Sequence, residues 1–268
     1  MRRVVFITGV SSGFGKGIAV LLASKGYAVY GTSRKEIESD SAVTILKADV
    51  TDAAAIKIAI EKVIRKEGRI DVLINNAGMG ISGAIEEFST DDIKLQMGTN
   101  VMGAVNTIQA VLPTMRRQGE GLIINISSIG GLMGLPFQGF YSASKYAIEG
   151  LSEALRMEVK QFNVEIVVIE PGDFATNFTA NRKIVSNGTT NSAYKEQFSK
   201  TLSIIEKDEK GGLPPVFLAK KLLKIIETKN PCHSYVISTF EQKLAVCLKA
   251  VLPDGLFFKI LASHYGIK

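Results

Sequence analysis

The sequence predicts an α/β fold: a doubly wound, mostly parallel sheet of seven strands with helices on both faces. Three observations carry this. Short β-branched runs alternate with segments of helical period throughout the chain, the pattern of a parallel sheet covered on both sides. A glycine-rich turn, Thr8-Gly9-Val10-Ser11-Ser12-Gly13-Phe14-Gly15, directly follows the first run and opens a helix. A chain of 268 residues with 46% hydrophobic content is enough to bury one large core, so residues 1–268 read as a single domain.

Arg3 to Thr8 is the first strand, and the helix after the turn covers Ile18 to Ala23. The glycines let the backbone approach a pyrophosphate, and the free amides at the positive end of the helix favour its charge. The spacing is T-G-x-x-x-G-x-G rather than G-x-G-x-x-G, and a plain turn is the alternative. Tyr27 to Ser33 is the second strand, with Ser33-Arg34 at its end, where a doubly wound fold places the adenosine ribose. An acidic residue there suits a free 2′-hydroxyl; Ser33 with the Arg34 fork suits a 2′-phosphate, or Arg34 is an ordinary loop residue.

Val43 to Ala48 is the third strand, closed by Asp49-Val50. The Asp49 carboxylate either accepts from an adenine amino group or caps the helix of residues 52 to 67. Val72 to Ile74 forms the fourth strand and runs into Asn75-Asn76-Ala77-Gly78, small and amide residues suited to a crevice where backbone meets ligand. A helix from about Thr90 to Arg116 carries a buried stripe that Asn100 interrupts. A polar side chain among such neighbours is either a structural brace or part of a site.

The stretch Gly121 to Gly150 holds Ile123, Ile124 and Ile126 as a buried fifth strand, then Ser127-Ser128 and a loop, then a helix with Tyr141 and Lys145 four residues apart. Four apart on a helix means one face. An ammonium beside a phenol favours the phenolate and lets the tyrosine exchange a proton near neutral pH. Two snorkelling side chains on an amphipathic face are the alternative. Val164 to Ile169 is the sixth strand, followed by Glu170-Pro171-Gly172-Asp173-Phe174-Ala175-Thr176.

Residues 177–212 are rich in Asn, Ser, Thr and Lys, with one weak helix around Ala193 to Ile205, and read as a mobile cover over the crevice. Pro214 to Thr228 is helical and Tyr235 to Ser238 is the last strand. The apolar C-terminal extension, about 241–268, is broken by Pro253 into two short helices. It packs onto the core, walls the substrate pocket, contacts a second subunit, or touches a membrane surface weakly.

A formal charge of +6 without long charge runs, and with no Trp, does not indicate nucleic acid. Cys232 and Cys247 lack CxxC spacing and read as reduced thiols. His233 and His264 are isolated and receive no ligand role. The Asn177-Phe178-Thr179 and Asn187-Gly188-Thr189 triplets read as chance matches to a glycosylation pattern. The apolar run after Met1-Arg2-Arg3 is too short for a signal peptide, and Gly121 to Ser144 is too interrupted to span a bilayer. The expected location is cytoplasmic.

Thr8-Gly9-x-x-x-Gly13-x-Gly15, Asn75-Asn76-Ala77-Gly78, Asn100, Ser128, Tyr141-x-x-x-Lys145 and Pro171-Gly172-x-x-x-Thr176 together resemble the classical short-chain dehydrogenase/reductases, over about residues 3 to 176, in order and at family-like spacing. Phe14 departs from the family's usual Ile or Leu. The resemblance implies a three-layer Rossmann fold. It implies Tyr141 as general acid in reduction and base in oxidation, and Lys145 as the group that lowers its pKa and holds the nicotinamide ribose. Ser128 would bind the substrate oxygen, and Asn100 would brace a water linking Lys145 to solvent. Gly9, Ser11, Ser12, Gly13, Phe14 and Gly15 would contact phosphates and ribose, Asn76, Ala77 and Gly78 the adenosine side, and Pro171, Gly172 and Thr176 the nicotinamide end. Asp49 and Val50 stand with Ser33 and Arg34 on the adenosine side, and no metal is implied.

The segment from Glu170 to Phe174, together with Ser33-Arg34 and the apolar C-terminus, is similar to the branch containing 17β-hydroxysteroid and retinol dehydrogenases. The expectation is an NADP(H)-dependent oxidoreductase, preferring NADP(H) over NAD(H), that interconverts a carbonyl and an alcohol on a small apolar substrate as a homodimer or homotetramer. The alternatives are a non-catalytic dinucleotide-binding redox sensor, or the same chemistry on a polar sugar or acyl substrate.

Overall fold

The computed structural model describes residues 2–37, 42–176, 178–185 and 192–267. The strands in chain order are β1 (Val4–Ile7), β2 (Ala28–Ser33), β3 (Val43–Lys47), β4 (Val72–Asn75), β5 (Ile81–Ser82), β6 (Gly121–Ile126), β7 (Val164–Pro171), β8 (Lys183–Ile184) and β9 (Ser234–Ile237). Seven of them form one sheet in the order β3-β2-β1-β4-β6-β7-β9, every neighbouring pair parallel. The expected seven-stranded doubly wound sheet is therefore present.

The strands lack alternation because both of their faces are covered. Val5 and Ile7 point into one core with Ile74 and Ile124, against Ile18 and Leu22 of α1 (Gly13–Ser24) and Leu218 and Leu222 of α7 (Pro215–Glu227). Val4 and Phe6 point the other way, against Ile56 and Ile60 of α2 (Ala53–Glu67), Val111 and Met115 of α4 (Gly103–Gln118), and Leu155 and Val159 of α5 (Gly139–Val159). Helix α2 is capped by Asp52, which accepts from the Ala55 amide at 2.9 Å, and stopped by left-handed Gly68.

The long helix expected over Thr90 to Arg116 is instead α3 (Thr90–Met97), a π-helical turn at 98–102, and α4. The widened turn is centred on Asn100, whose side chain bonds outside the helix, and a π-turn of this kind recurs at functional sites. The short parallel pair β5 and β8 was not foreseen, since two residues each leave no pattern. Helix α1 starts inside the glycine turn, five residues earlier than the apolar periodicity indicates.

Within the segment read as a cover, α6 (Lys195–Lys210) is longer than expected and buries Phe198, Thr201, Ile205 and Glu209. Pro253 separates α8 (Phe240–Val251) from α9 (Asp254–His264), as expected. Core packing of this extension is limited: α8 buries none of its residues and α9 buries Phe257. Asn177 and the Asn187 triplet lie outside the described residues. Among the described residues no helix is long and apolar enough to cross a membrane.

Candidate active site

Strand order reverses at β1 and β4, and the loops leaving these two strands meet at the crevice this creates. Thr8 Oγ1 accepts from the Asn76 and Ala77 amides, each at 2.9 Å, and Asn76 Nδ2 donates to the Thr8 and Gly9 carbonyls at 2.8 and 3.0 Å. The Asn76 side chain is thus spent on holding the turn, and Thr8 is its counterpart.

Gly9 sits at φ +73°, and a Cβ on Gly15 would collide with the Gly9 carbonyl and lie 2.5 Å from Asn76 Nδ2, so neither position accepts a larger residue. Ser12 stands at the N-cap of α1 without a side-chain cap, in contrast to Asp52 on α2 and Ser89 on α3. The first-turn amides of α1 are left for an outside anion, beside exposed Ser11 and Ser12 and a left-handed Gly13 with open space around it. These residues fit a dinucleotide pyrophosphate. Phe14 packs its ring edge-on to Phe174, centroids 5.0 Å apart, which joins the glycine turn to the loop after β7.

At the end of β2, Ser33 is buried and its Oγ accepts from the Lys35 amide at 3.2 Å. Arg34 is exposed and makes no hydrogen bond or ion pair among the described residues, so its fork is available for a 2′-phosphate. Asp49 does not cap α2. Its Oδ1 accepts from Thr51 N and Oγ1 at 2.9 and 2.8 Å in a local turn, while the Val50 carbonyl accepts from Asn106 Nδ2 at 2.8 Å.

Strand β6 and helix α5 bring Ser128, Tyr141 and Lys145 together. Ser128 Oγ accepts from the Gly130 amide at 3.0 Å and donates weakly to the Pro171 carbonyl at 3.5 Å. Lys145 is 7% exposed, donates to the Ile126 carbonyl at 2.8 Å, and lies 5.7 Å from the Tyr141 ring centroid. Burial pushes the Tyr141 hydroxyl up to about 12 against the opposing pull of Ser128, and burial brings Lys145 down to about 8. Burial thus outweighs the groups that pull the hydroxyl down, Ser128 first and then Arg182, and Tyr141 is a neutral phenol at pH 7.

Asn100 is fully engaged. Its Oδ1 accepts from the Met79 amide at 2.9 Å, and its Nδ2 donates to the Met79 carbonyl at 3.0 Å and to Ser144 Oγ at 2.9 Å. The side chain is a brace between α5 and the β4–β5 connection. It is also close to the site, because a Cβ on Gly78 would lie 3.4 Å from Asn100 Oδ1 and 3.8 Å from Lys145 Nζ.

One turn beyond Lys145, burial raises the Glu149 carboxyl to about 7, helped by the Glu170 and Glu153 charges and opposed by Ser127 and Lys145. The folded value exceeds the unfolded one, so the fold favours protonated Glu149, and this loses stability as pH rises from about 4.5 through about 7. Glu149→Gln is expected to raise the thermal midpoint at pH 8 and to leave it unchanged near pH 4; thermal unfolding at the two pH values checks this.

After β7, the Gly172 amide donates to the Ile237 carbonyl at 3.1 Å, and a Cβ on Gly172 would lie 2.5 Å from Ser238 Cβ, so the chain after β9 packs closely here. Thr176 Oγ1 accepts from the Phe178 amide at 3.2 Å. The Phe178 ring lies 5.8 Å from that of Tyr141, with Arg182 Cζ 5.9 Å from its centroid. Arg182 pairs with Glu209 of α6, whose other oxygen accepts from Thr179 Oγ1 at 2.5 Å. Asp173 is raised to about 6 by burial and by the Glu209 and Asp208 carboxylates. Sequence reading missed Phe178, Arg182 and Glu209, whose spacing carries no signal. It also missed Ser144, for which the signal was position: next to Lys145 on a face already marked.

A family model described as short chain dehydrogenase matches residues 3–185. The chain is 47% identical over 266 residues to 3-ketodihydrosphingosine reductase of Bacteroides thetaiotaomicron, covering 99% of each. It is 32% identical over 272 residues to NADPH-dependent 3-dehydrocapnine reductase of Ornithobacterium rhinotracheale, covering 96% of this chain and 95% of the relative. A short-chain dehydrogenase crystal structure from Streptomyces avermitilis superposes with a TM-score of 0.82 at 30% identity, covering 97% of this chain and 98% of that one.

Proposed function

The chain belongs to the short-chain dehydrogenase/reductase family, oxidoreductases acting on CH–OH groups, and on that premise we propose that it reduces the ketone of a long-chain 2-amino ketone with NADPH. The observation that carries the substrate is the extent of the 47% match. It runs past residue 185, where the family model stops, through residues 177–212 and the C-terminal helices, which on this reading border the substrate rather than the nucleotide. The free Arg34 fork supports NADPH, in line with the NADPH-dependent relative.

When bound, the reduced nicotinamide supplies hydride to the carbonyl carbon. Tyr141, neutral at pH 7, gives its proton to the carbonyl oxygen, and the Ser128 hydroxyl turns from the Pro171 carbonyl, which it reaches at only 3.5 Å, to the same oxygen. Lys145 spends one of its three donors on Ile126 and keeps two for ribose hydroxyls and the proton's route back from solvent. Reduction uses the phenol form that Tyr141 holds at pH 7, and oxidation uses its phenolate. The described part of residues 177–212 serves as the cover, with the Phe178 ring 5.8 Å from that of Tyr141, and assembly into a homodimer or homotetramer is part of the same reading.

NADPH oxidation is the test, with 3-ketodihydrosphingosine, a 17-ketosteroid and an acetoacetyl thioester as competing substrates. Preference for either of the last two would overturn the substrate. Arg34→Ala is expected to weaken NADPH binding by roughly 10- to 100-fold, the loss of one charged hydrogen-bonded contact, with NADH binding unchanged. Nicotinamide fluorescence titration reads this, and equal affinity of wild type for both cofactors would withdraw the preference.

A further inference from the structure

We propose that Arg182 and Glu209 form a head-group subsite that takes the hydroxyl and ammonium of an amino-alcohol ketone, an inference that rests on the substrate reading above. The Arg182 side chain is 3% exposed. Its Nη2 pairs with Glu209, but Nε and Nη1 are buried and have no partner among the described residues. Orphaned N–H groups on a buried cation are costly and unusual, and they call for oxygen acceptors that the described residues do not provide.

Carboxylates also act on one another beside this pair. Glu209 holds Arg182, Glu209 and Asp208 both act on Asp173, which accepts from Gln242 Nε2, and half-exposed His264 lies 3.0 Å from Asp208. Burial, and after it crowding by Glu209 and Asp208, raises the Asp173 carboxyl, and burial followed by Asp173, Asp208 and Glu209 pushes up the Tyr265 hydroxyl. A substrate ammonium relieves that crowding, while a neighbouring hydroxyl oxygen accepts from Arg182 Nε and Nη1. The pair is within reach of the reaction: the Phe178 ring touches both Tyr141 and Arg182, and Tyr141 feels the charges of Glu209, Arg182 and Asp173. A carbonyl held at Tyr141 therefore places a two-carbon polar head beside the pair, past the edge of a single aromatic ring. A plain alkyl ketone would leave the guanidinium donors unpaired, and a site that hydrogen-bonds a polar group discriminates strongly against analogues lacking it.

The test compares kcat/KM for three ketones of equal chain length: 3-ketodihydrosphingosine, its analogue lacking the amine, and the plain 3-alkanone. Wild type is expected to prefer the first over the second by about 100-fold or more. Glu209→Gln should lower kcat/KM for the amino ketone by roughly 30-fold and change that for the analogue lacking the amine by less than about threefold. Because removing one partner of a buried pair can prevent folding, the double variant Arg182→Met with Glu209→Leu, which leaves no uncompensated charge, is made alongside and should reduce all three ketones with similar kcat/KM. An equal fall for all three ketones in Glu209→Gln, or preserved discrimination in the double variant, would overturn the subsite while leaving the substrate assignment standing. A wild type inactive on the amino ketone would overturn the substrate assignment, and the subsite with it.

Discussion

Tyr141→Phe is expected to lower kcat for ketone reduction by about a thousandfold while changing the NADPH dissociation constant by less than about threefold. The change removes one oxygen from a ring that stays packed against Phe178 and beside Lys145, so the pocket keeps its shape. It also removes the proton donor. General acid catalysis contributes typically ~10²–10⁴-fold, and the middle of that range corresponds to about 4 kcal/mol of barrier. The residual rate reflects hydride transfer to a positioned ketone aided by Ser128 alone. NADPH oxidation and fluorescence titration of the same preparation measure the two quantities. Unchanged turnover would remove Tyr141 from the chemistry. Loss of NADPH binding in step with turnover would make the residue part of the nucleotide site instead.

What could be read from the sequence follows the range over which each signal acts. The sheet was legible because strands such as Val4 to Ile7, and Ile123, Ile124 and Ile126 in the fifth run, are buried on both faces and carry β-branched or aromatic residues on each. The glycine turn was legible because Gly9 and Gly15 are fixed by φ and by contact distance, constraints that no other residue meets.

The π-turn at Asn100 was not legible, since an apolar stripe continues through it and the cause, the Met79 backbone, lies across the crevice. The capping alternative for Asp49 stayed open in the sequence for a related reason: Asp49 and Asp52 are both good caps, and only the chain path decides that Asp52 meets Ala55. The upward net shift of Tyr141 was not legible either: four-residue spacing shows an ammonium nearby, whereas burial, the largest cause of the shift, is set by the folded surroundings. Arg182 and Glu209 are a long-range pair between a loop and α6, and neither periodicity nor motif links them.

The second large effect falls on Asn100. Asn100→Ala is expected to destabilise the fold by about 2–4 kcal/mol, a drop in Tm of roughly 5–10 °C, and to lower kcat by about tenfold or more. The losses are unequal among its three partners. The Met79 carbonyl still accepts from Gln96 Nε2 at 2.7 Å, and Ser144 Oγ still donates to the Tyr141 carbonyl at 2.6 Å, but the Met79 amide loses its acceptor. One orphaned donor, a cavity beside Gly78 and a released π-turn make up the stability cost.

The effect on turnover has two routes. Through Ser144, Asn100 fixes the turn of α5 that carries Tyr141 and Lys145; through Met79, it fixes the chain that runs past Gly78 towards Lys145 Nζ. Ser144→Ala cuts only the first. If that variant reproduces the fall in kcat, Asn100 works by setting the helix under the tyrosine; if kcat stays within about twofold of wild type, the β4–β5 connection is what Asn100 holds for catalysis. A merely structural Asn100 would lower Tm and leave kcat per folded molecule unchanged, and it is this split between folded fraction and turnover that the paired unfolding and rate measurements read.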